Sequence, residues 1–212
     1  MSVYKAYADL SHPLLSELRV RAPGTYFHSI AVAHISFAVV EDLKVGDPFL
    51  ALAGAYFHDI GKVVAPELYI ENKEEARHED FMKNRATIVR HPHESEKLAR
   101  KYNLPQEIIN FMFSHHGTSK AFACGALQDG QSFYYDGPQP ATIEEVVVML
   151  VDGVDACVRS SWRDGKTEID FKEVIEKVWE YKKDQLAVAY GLDADLIRRS
   201  IAETASHFYH KR

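Results

Sequence analysis

Apolar residues recur along most of the chain at spacings of three and four, and proline, glycine and capping residues separate these runs. The clearest runs cover residues 23–43, 46–59, 104–117 and 143–161. Such spacing is typical of amphipathic or buried α-helices, whereas strands would show an alternation of period two. No convincing alternating run is present. The pattern therefore predicts that residues 1–212 form a single all-α domain.

The ends of these runs carry recognisable helix signals. Helix N-termini are predicted at four residues whose side chains accept hydrogen bonds from backbone N–H groups: Thr25, Asp47, Thr142 and Asp170. Glu145, three residues after Thr142, completes a capping box. The helix that contains "GAYFHD" is expected to end at Gly61, because glycine is common just past a helix C-terminus.

Two doublets of chemically active residues stand directly before such glycines. His58-Asp59 lies two residues before Gly61, and His115-His116 lies immediately before Gly117. Adjacent residues inside a helix point about 100° apart, but at a last turn the backbone can bend and two neighbours can converge. The helix C-terminus also carries partial negative charge, which favours a nearby cation. The two doublets therefore indicate a metal site.

Further candidate ligands lie elsewhere in the predicted helices. Asp152 interrupts the apolar run "VVVMLVDGVDACV", and a buried carboxylate without a partner costs several kcal/mol. Asp155 lies on a neighbouring part of the same helix face, and the residues alone do not decide between these two aspartates. His28 is a candidate near the start of its helix, and only one of His91 and His93 is expected to point inward.

The order of these residues resembles the metal signature of the HD-domain phosphohydrolase superfamily. The segments "APGTYFHS", "GAYFHDIGK" and "GPQPATIEEVVVMLVDGVDA" are similar to the cytosolic HD domain of the seven-transmembrane HD family, whose members are cyclic di-AMP phosphodiesterases. The similarity predicts a core over residues 9–161 and a helical extension over residues 162–212. Because no membrane segment is recognisable, we expect an excised domain or a soluble relative of those membrane proteins.

This resemblance implies a helical bundle around a dinuclear metal centre. It implies one metal bound by His28, His58, Asp59 and Asp152, and a second bound by His91, His115 and His116. Asp59 would bridge the two ions. The resemblance also selects Asp152 over Asp155, and His91 over His93. Five imidazoles and two carboxylates without a thiolate suit two divalent transition-metal ions, with Mn or Fe expected first and Co, Ni or Zn as alternatives.

The implied reaction is the opening of cyclic di-AMP to the linear dinucleotide, by attack of a hydroxide that bridges the two metals. Asp59 and Lys62 are the predicted catalytic residues, and Lys62 is also expected to contact a phosphoryl oxygen. Arg159, about two turns after Asp152, could reach a second phosphate. A base-stacking wall is predicted from three aromatic residues, Phe133, Tyr134 and Tyr135. The alternatives are a nucleotide or alarmone phosphohydrolase, and a regulatory module that binds metal or nucleotide without turnover.

The composition of the chain indicates which kind of partner and which location to expect. The net charge is -6, so no basic surface is expected for a nucleic-acid polymer, and the expected partner is a small-molecule nucleotide. Cys124 and Cys157 form no paired framework, which favours a reducing, cytoplasmic location. No apolar stretch is long enough to span a bilayer. The oligomeric state is not predictable from the sequence.

Overall fold

The computed structural model describes residues 2–73, 84–121 and 134–210. It contains the α-helices α1 (Pro13–Arg21), α2 (Pro23–Leu43), α3 (Pro48–Phe57), α4 (His91–Lys101), α5 (Gln106–Ser114), α6 (Ile143–Arg163), α7 (Phe171–Lys182) and α8 (Ala194–His210), and residues 84–88 are also helical. Short 3₁₀ helices cover Val3–Tyr7, Ile60–Val64, Pro66–Leu68, Ile70–Asn72, Lys183–Gln185 and Ala187–Gly191. In the described ranges the backbone forms no strand beyond one isolated bridge between Lys120 and Tyr134. The all-α prediction is confirmed.

Helix α2 lies at the centre of the bundle, where it packs against α3, α6 and α8. Val32 and Ile35 of α2 are fully buried, and every residue of α3 from Leu50 to Phe57 is buried. Full burial of a large apolar side chain stabilises the fold by about 1.5–3 kcal/mol relative to exposure. These two buried helices therefore form a rigid support for the residues at their ends.

Local capping follows the sequence at three of the four predicted positions. Asp47 accepts from the N–H of Phe49 at 2.9 Å, and Thr142 accepts from the N–H of Glu145 at 3.3 Å. Asp170 accepts from the first N–H groups of α7. Each bond satisfies a donor that has no partner inside its helix. These three helix starts can therefore be recognised from neighbouring residues.

Two predicted helix ends are wrong, and both depend on tertiary contacts. Helix α2 already begins at Pro23, and the Thr25 hydroxyl instead donates to Glu71 at 2.9 Å. Helix α3 ends at Phe57 rather than at Gly61. A Cβ atom at Gly61 would lie 2.2 Å from the carbonyl oxygen of His91, so glycine is needed there for the close approach of α4.

The C-terminal helices return to the centre of the molecule. Helix α7 packs against α6 and α8, and α8 packs against α2. After α7, Gln185 accepts from the N–H of Thr118 at 2.9 Å and so contacts the turn that follows α5. The division into a core over residues 9–161 and an extension over residues 162–212 stays a prediction. Among the described helices, none combines the length and the apolar character needed to cross a lipid bilayer.

Candidate metal centre

The fold brings the seven residues that were predicted as metal ligands into one cluster. They come from separate elements: His28 on α2, His58-Asp59 after α3, His91 at the start of α4, His115-His116 after α5, and Asp152 on α6. Three groups have ligand atoms that all lie within 4.8 Å of one another: His91, His115 and His116; His28, His58 and Asp152; and His58, Asp59 and His115. The two doublets converge because both follow the last turn of a helix.

Asp59 lies between the histidines of the cluster. Its Oδ1 is 3.2 Å from Nε2 of His91 and 3.6 Å from Nε2 of His115. Its Oδ2 is 3.3 Å from Nε2 of His58 and 3.7 Å from Nε2 of His28. The two oxygens of one carboxylate thus face two different sets of nitrogens, which is the geometry that a bridging ligand needs.

Backbone carbonyls orient three of the imidazoles. Each Nδ1 donates to a carbonyl oxygen: His58 to Ala55 at 2.7 Å, His91 to Ile88 at 2.7 Å, and His115 to Phe111 at 2.8 Å. A carbonyl can only accept, so Nδ1 carries a proton in each of these rings, and in the neutral form of the ring Nε2 is the nitrogen that can bind a metal. Burial and the nearby His58 lower the pKa of His115 well below its usual value. Burial and His115 do the same for the pKa of His116, so both rings are neutral, as metal ligation requires.

The residues present suit a divalent metal. Among the described residues, Nε2 of His58 and Oδ1 of Asp59 are buried without a hydrogen-bond partner, which is rare in native proteins. Nε2 of His91 lies 3.4 Å from Nε2 of His115, so two ring nitrogens face each other across the cluster. A cation satisfies all of these atoms. Imidazole and carboxylate donors without thiolate match borderline divalent transition metals.

The two alternative aspartates lie on opposite sides of one ring. Asp152 is 3.0 Å from Nε2 of His28, on the cluster side, and Asp155 is 2.5 Å from its Nδ1, behind the ring. Asp155 is fully buried and also accepts from the Arg159 Nε at 2.5 Å and from the Tyr209 hydroxyl. Burial disfavours a charge on His28, but Asp155 and Asp152 outweigh it and raise its pKa to about 10, so a metal that binds this ring must displace the proton on Nε2. Asp155 is therefore placed to orient the ring through a carboxylate–histidine contact.

Lys62 lies at the edge of the cluster between two carboxylates. Its Nζ is 2.7 Å from Oδ2 of Asp59 and 2.9 Å from Oε1 of Glu71. Burial alone would lower the pKa of Lys62, but these carboxylates raise it well above its ordinary value. Burial also disfavours ionised Asp59, yet Lys62 and His58 lower its pKa well below the usual range. The pair therefore stays charged at neutral pH.

Two cavities open beside the cluster. A cavity of about 270 Å³ is lined by Lys62 and Arg159 together with His28 and Asp152. Arg159 was predicted to reach a phosphate, and its Nε already pairs with Asp155, so only the rest of its guanidinium is available to a ligand. The other cavity, of about 420 Å³, lies between α6 and α7.

The base-stacking role predicted for Phe133, Tyr134 and Tyr135 stays a prediction. The Tyr135 ring stacks on His116, with centroids 3.9 Å apart and an interplanar angle of 19°. Tyr134 is 60% exposed and does not line either cavity. Phe133 lies outside the described residues. Lys182 lines the larger cavity and lies in residues 162–212, outside the segment that the resemblance covers.

Comparisons with known proteins identify relatives of this chain. The HD domain family model matches residues 25–157. The cyclic-di-AMP phosphodiesterase PgpH of Bacillus subtilis is 30% identical over 218 aligned positions, covering 95% of this chain but only 30% of that protein's length. The crystal structure of the Listeria monocytogenes PgpH HD domain has a TM-score of 0.78 and 28% identity, covering 94% of this chain and 100% of that domain. A second structure of that domain, in complex with cyclic-di-AMP, has the same TM-score of 0.78 and 27% identity, covering 95% and 99%.

Proposed function

The chain belongs to the HD domain family, and we propose from this premise that it is a metal-dependent phosphodiesterase that opens cyclic di-AMP to the linear dinucleotide. One observation carries the proposal: a buried carboxylate, Asp59, directs its two oxygens at two sets of histidine nitrogens. The similarity to the Listeria HD domain that was crystallised with cyclic-di-AMP supports the choice of substrate. Because the chain spans about 30% of its curated relatives' length, activity and substrate are proposals for this chain.

We propose that the cluster binds two divalent ions, with Mn or Fe expected before Co, Ni or Zn. The first ion would be held by His28, His58, Asp59 and Asp152, and the second by His91, His115 and His116 together with Asp59. Bound divalent metals would act as Lewis acids on the phosphate oxygens and lower the pKa of a water molecule.

The chain's own residues provide orientation and charge. Lys62, fixed by Asp59 and Glu71, offers a permanent positive charge to a non-bridging phosphate oxygen in the smaller cavity. Arg159 adds positive charge to the same cavity. This local charge matters because the protein as a whole is acidic and would otherwise repel an anionic substrate. Tyr135 offers an aromatic face beside His116 for a base.

A substrate panel tests the proposal. The protein, reconstituted with Mn²⁺, is incubated with cyclic di-AMP, cyclic di-GMP, mononucleotides and a guanosine tetraphosphate alarmone, and the products are separated by chromatography. We expect preferential conversion of cyclic di-AMP to the linear dinucleotide, and no conversion by Asp59→Ala. Preferential release of phosphate from a mononucleotide or of pyrophosphate from the alarmone would replace this proposal with the other phosphohydrolase class. Tight binding of cyclic di-AMP without turnover would indicate a regulatory module.

A further inference from the structure

The backbone turn that carries Asp59 is held by one side chain from a distant part of the chain, that of Ser95. Ser95 lies on α4 and is fully buried. Its hydroxyl accepts from the N–H of Gly61 at 2.8 Å and donates to the carbonyl oxygen of His58 at 3.2 Å. These two backbone groups flank Asp59 and Ile60, so a single hydroxyl holds the turn on both sides of the carboxylate.

The Ser95 hydroxyl stands between two groups that a regular turn would join directly. The carbonyl of His58 and the N–H of Gly61 are three residues apart, which is the spacing of a 3₁₀ hydrogen bond. A side chain inserted between such a pair bends the backbone at that point. The bend coincides with Asp59, whose φ is -111° and ψ is 12°, whereas a 3₁₀ helix has φ of about -60° and ψ of about -25°.

The same side chain joins this turn to the helix that carries another proposed ligand. Ser95 lies four residues after His91, so the two side chains lie on one face of α4. Nε2 of His91 is 3.2 Å from Oδ1 of Asp59. The turn lies directly against α4, since a Cβ at Gly61 would be 2.4 Å from the Ser95 nitrogen. The hydroxyl therefore fixes both the shape of the turn and its position relative to His91.

Loss of this hydroxyl would act on the carboxylate through the backbone. His58 and Gly61 are both buried, so their carbonyl and N–H groups need partners within the protein. Without the Ser95 hydroxyl, the direct bond between the two groups is the shortest way to satisfy both. That bond closes the turn and rotates the Asp59 carboxylate relative to the His91 ring.

We propose that Ser95 is a positioning residue that holds Asp59 as the bridge between the two metal positions, and that the second ion depends on it most. This inference rests on the proposed function and its two-metal centre. Asp59 is the only carboxylate among the ligands proposed for the second ion, whereas the first ion also has Asp152. A rotated Asp59 therefore removes the only negative charge from the second position and leaves one at the first.

The test compares Ser95→Ala with Ser36→Ala. Ser36 is also a fully buried helical serine, but its hydroxyl has no hydrogen-bond partner among the described residues, so its removal breaks no such contact. Calorimetric titration with Mn²⁺ measures the affinity for each of the two ions. Electron paramagnetic resonance then reports the magnetic coupling between two Mn²⁺ ions that share a bridging ligand. Neither measurement needs a substrate.

We expect Ser95→Ala to bind the second Mn²⁺ about 10–100-fold more weakly, the factor typical of losing an outer-shell partner of a metal ligand, and the first Mn²⁺ less than about threefold more weakly. At an Mn²⁺ concentration that fills both wild-type positions, Ser95→Ala should lose the coupled signal. Ser95→Thr, which keeps the hydroxyl, should retain it, and Ser36→Ala should match the wild type.

Three outcomes would overturn the inference. Wild-type affinities and coupling in Ser95→Ala would show that the hydroxyl does not position Asp59. An equal loss of affinity for both ions would show that it supports the centre as a whole, and loss of coupling in Ser95→Thr as well would assign the effect to packing. Circular dichroism checks that each variant is folded. If Ser95→Ala is not, Ser95→Cys replaces it, because a thiol fills similar space but is a weak donor and acceptor.

The two proposals can fail separately. A wild type that binds two coupled Mn²⁺ ions but does not hydrolyse cyclic di-AMP would refute the proposed function, and the metal titration of Ser95→Ala would still decide the role of Ser95. A wild type that hydrolyses cyclic di-AMP, together with unchanged Mn²⁺ binding in Ser95→Ala, would refute only the role of Ser95.

Discussion

Replacing Asp155 by asparagine tests how the His28 ring is held. Three donors converge on the two oxygens of this buried carboxylate: Nδ1 of His28, Nε of Arg159 and the hydroxyl of Tyr209. An asparagine has the same size but carries no charge and has only one accepting oxygen, so with that oxygen toward His28 and Arg159 its NH₂ group replaces the oxygen that accepts from Tyr209. The substitution therefore removes the negative charge behind the His28 ring without opening a cavity.

The substitution is expected to change both the metal affinity and the folding stability. Losing an outer-shell partner of a ligating histidine weakens metal binding by about 10–100-fold. A buried donor that is left without an acceptor costs about 1–3 kcal/mol of folding stability. We therefore expect Asp155→Asn to bind Mn²⁺ about 10–100-fold more weakly and to unfold with a free energy lower by about 1–3 kcal/mol. Tyr209→Phe removes only one of the three donors and keeps the carboxylate, so its effect on metal affinity should be smaller.

The assay is calorimetric titration of Mn²⁺ together with chemical denaturation of each variant. Asp164→Asn is the matched control, because Asp164 lies at the exposed end of the same helix. If Asp155→Asn binds Mn²⁺ as tightly as Asp164→Asn does, Asp155 does not orient His28.

Three further substitutions test the roles of Lys62, Gly61 and Tyr135. Lys62→Met should keep both metals but lower kcat on cyclic di-AMP by tenfold or more, since a charge is lost at the phosphate; metal loss on elemental analysis would show that the lysine instead holds the cluster together. Gly61→Ala should destabilise the protein by about 1–3 kcal/mol and weaken metal binding, because its Cβ would lie 2.2 Å from the His91 carbonyl oxygen. Gly191→Ala, where a Cβ meets nothing within 4 Å, is its control in thermal denaturation, and equal midpoints would contradict the steric argument. Tyr135→Ala should raise KM for cyclic di-AMP about five- to a hundredfold by removing a stacking face, and an unchanged KM would exclude base stacking there.

Local sequence was sufficient for the parts of the fold that depend on neighbouring residues. The caps at Asp47, Thr142 and Asp170 satisfy backbone groups two or three residues away, so these caps can be recognised from the sequence. Thr25 looked equivalent, but its hydroxyl bonds to Glu71, which no local pattern reveals. The predicted end of α3 at Gly61 failed for the same reason, since that glycine accommodates α4 rather than terminating a helix.

The candidate site shows the same contrast between local sequence signals and contacts between distant residues. The doublet His58-Asp59 and its partner doublet were recognisable because each directly follows the end of a helix, where adjacent side chains can converge. The contacts that complete the site link residues far apart in the chain: Asp155 to Tyr209 on α8, and Lys182 on α7 to Ser119. Helix packing creates these contacts, so the sequence could not distinguish Asp155 from a simple helix-face residue.

We propose that seven side chains form one dinuclear centre joined through Asp59. Elemental analysis, after reconstitution with Mn²⁺ and removal of loosely bound metal, counts the ions bound per chain. We expect about two ions in the wild type, about one in His91→Ala, and fewer than one in Asp59→Ala, because only the last change removes a ligand from both ions. A wild-type protein that binds at most one ion, with no loss in His91→Ala, would contradict it.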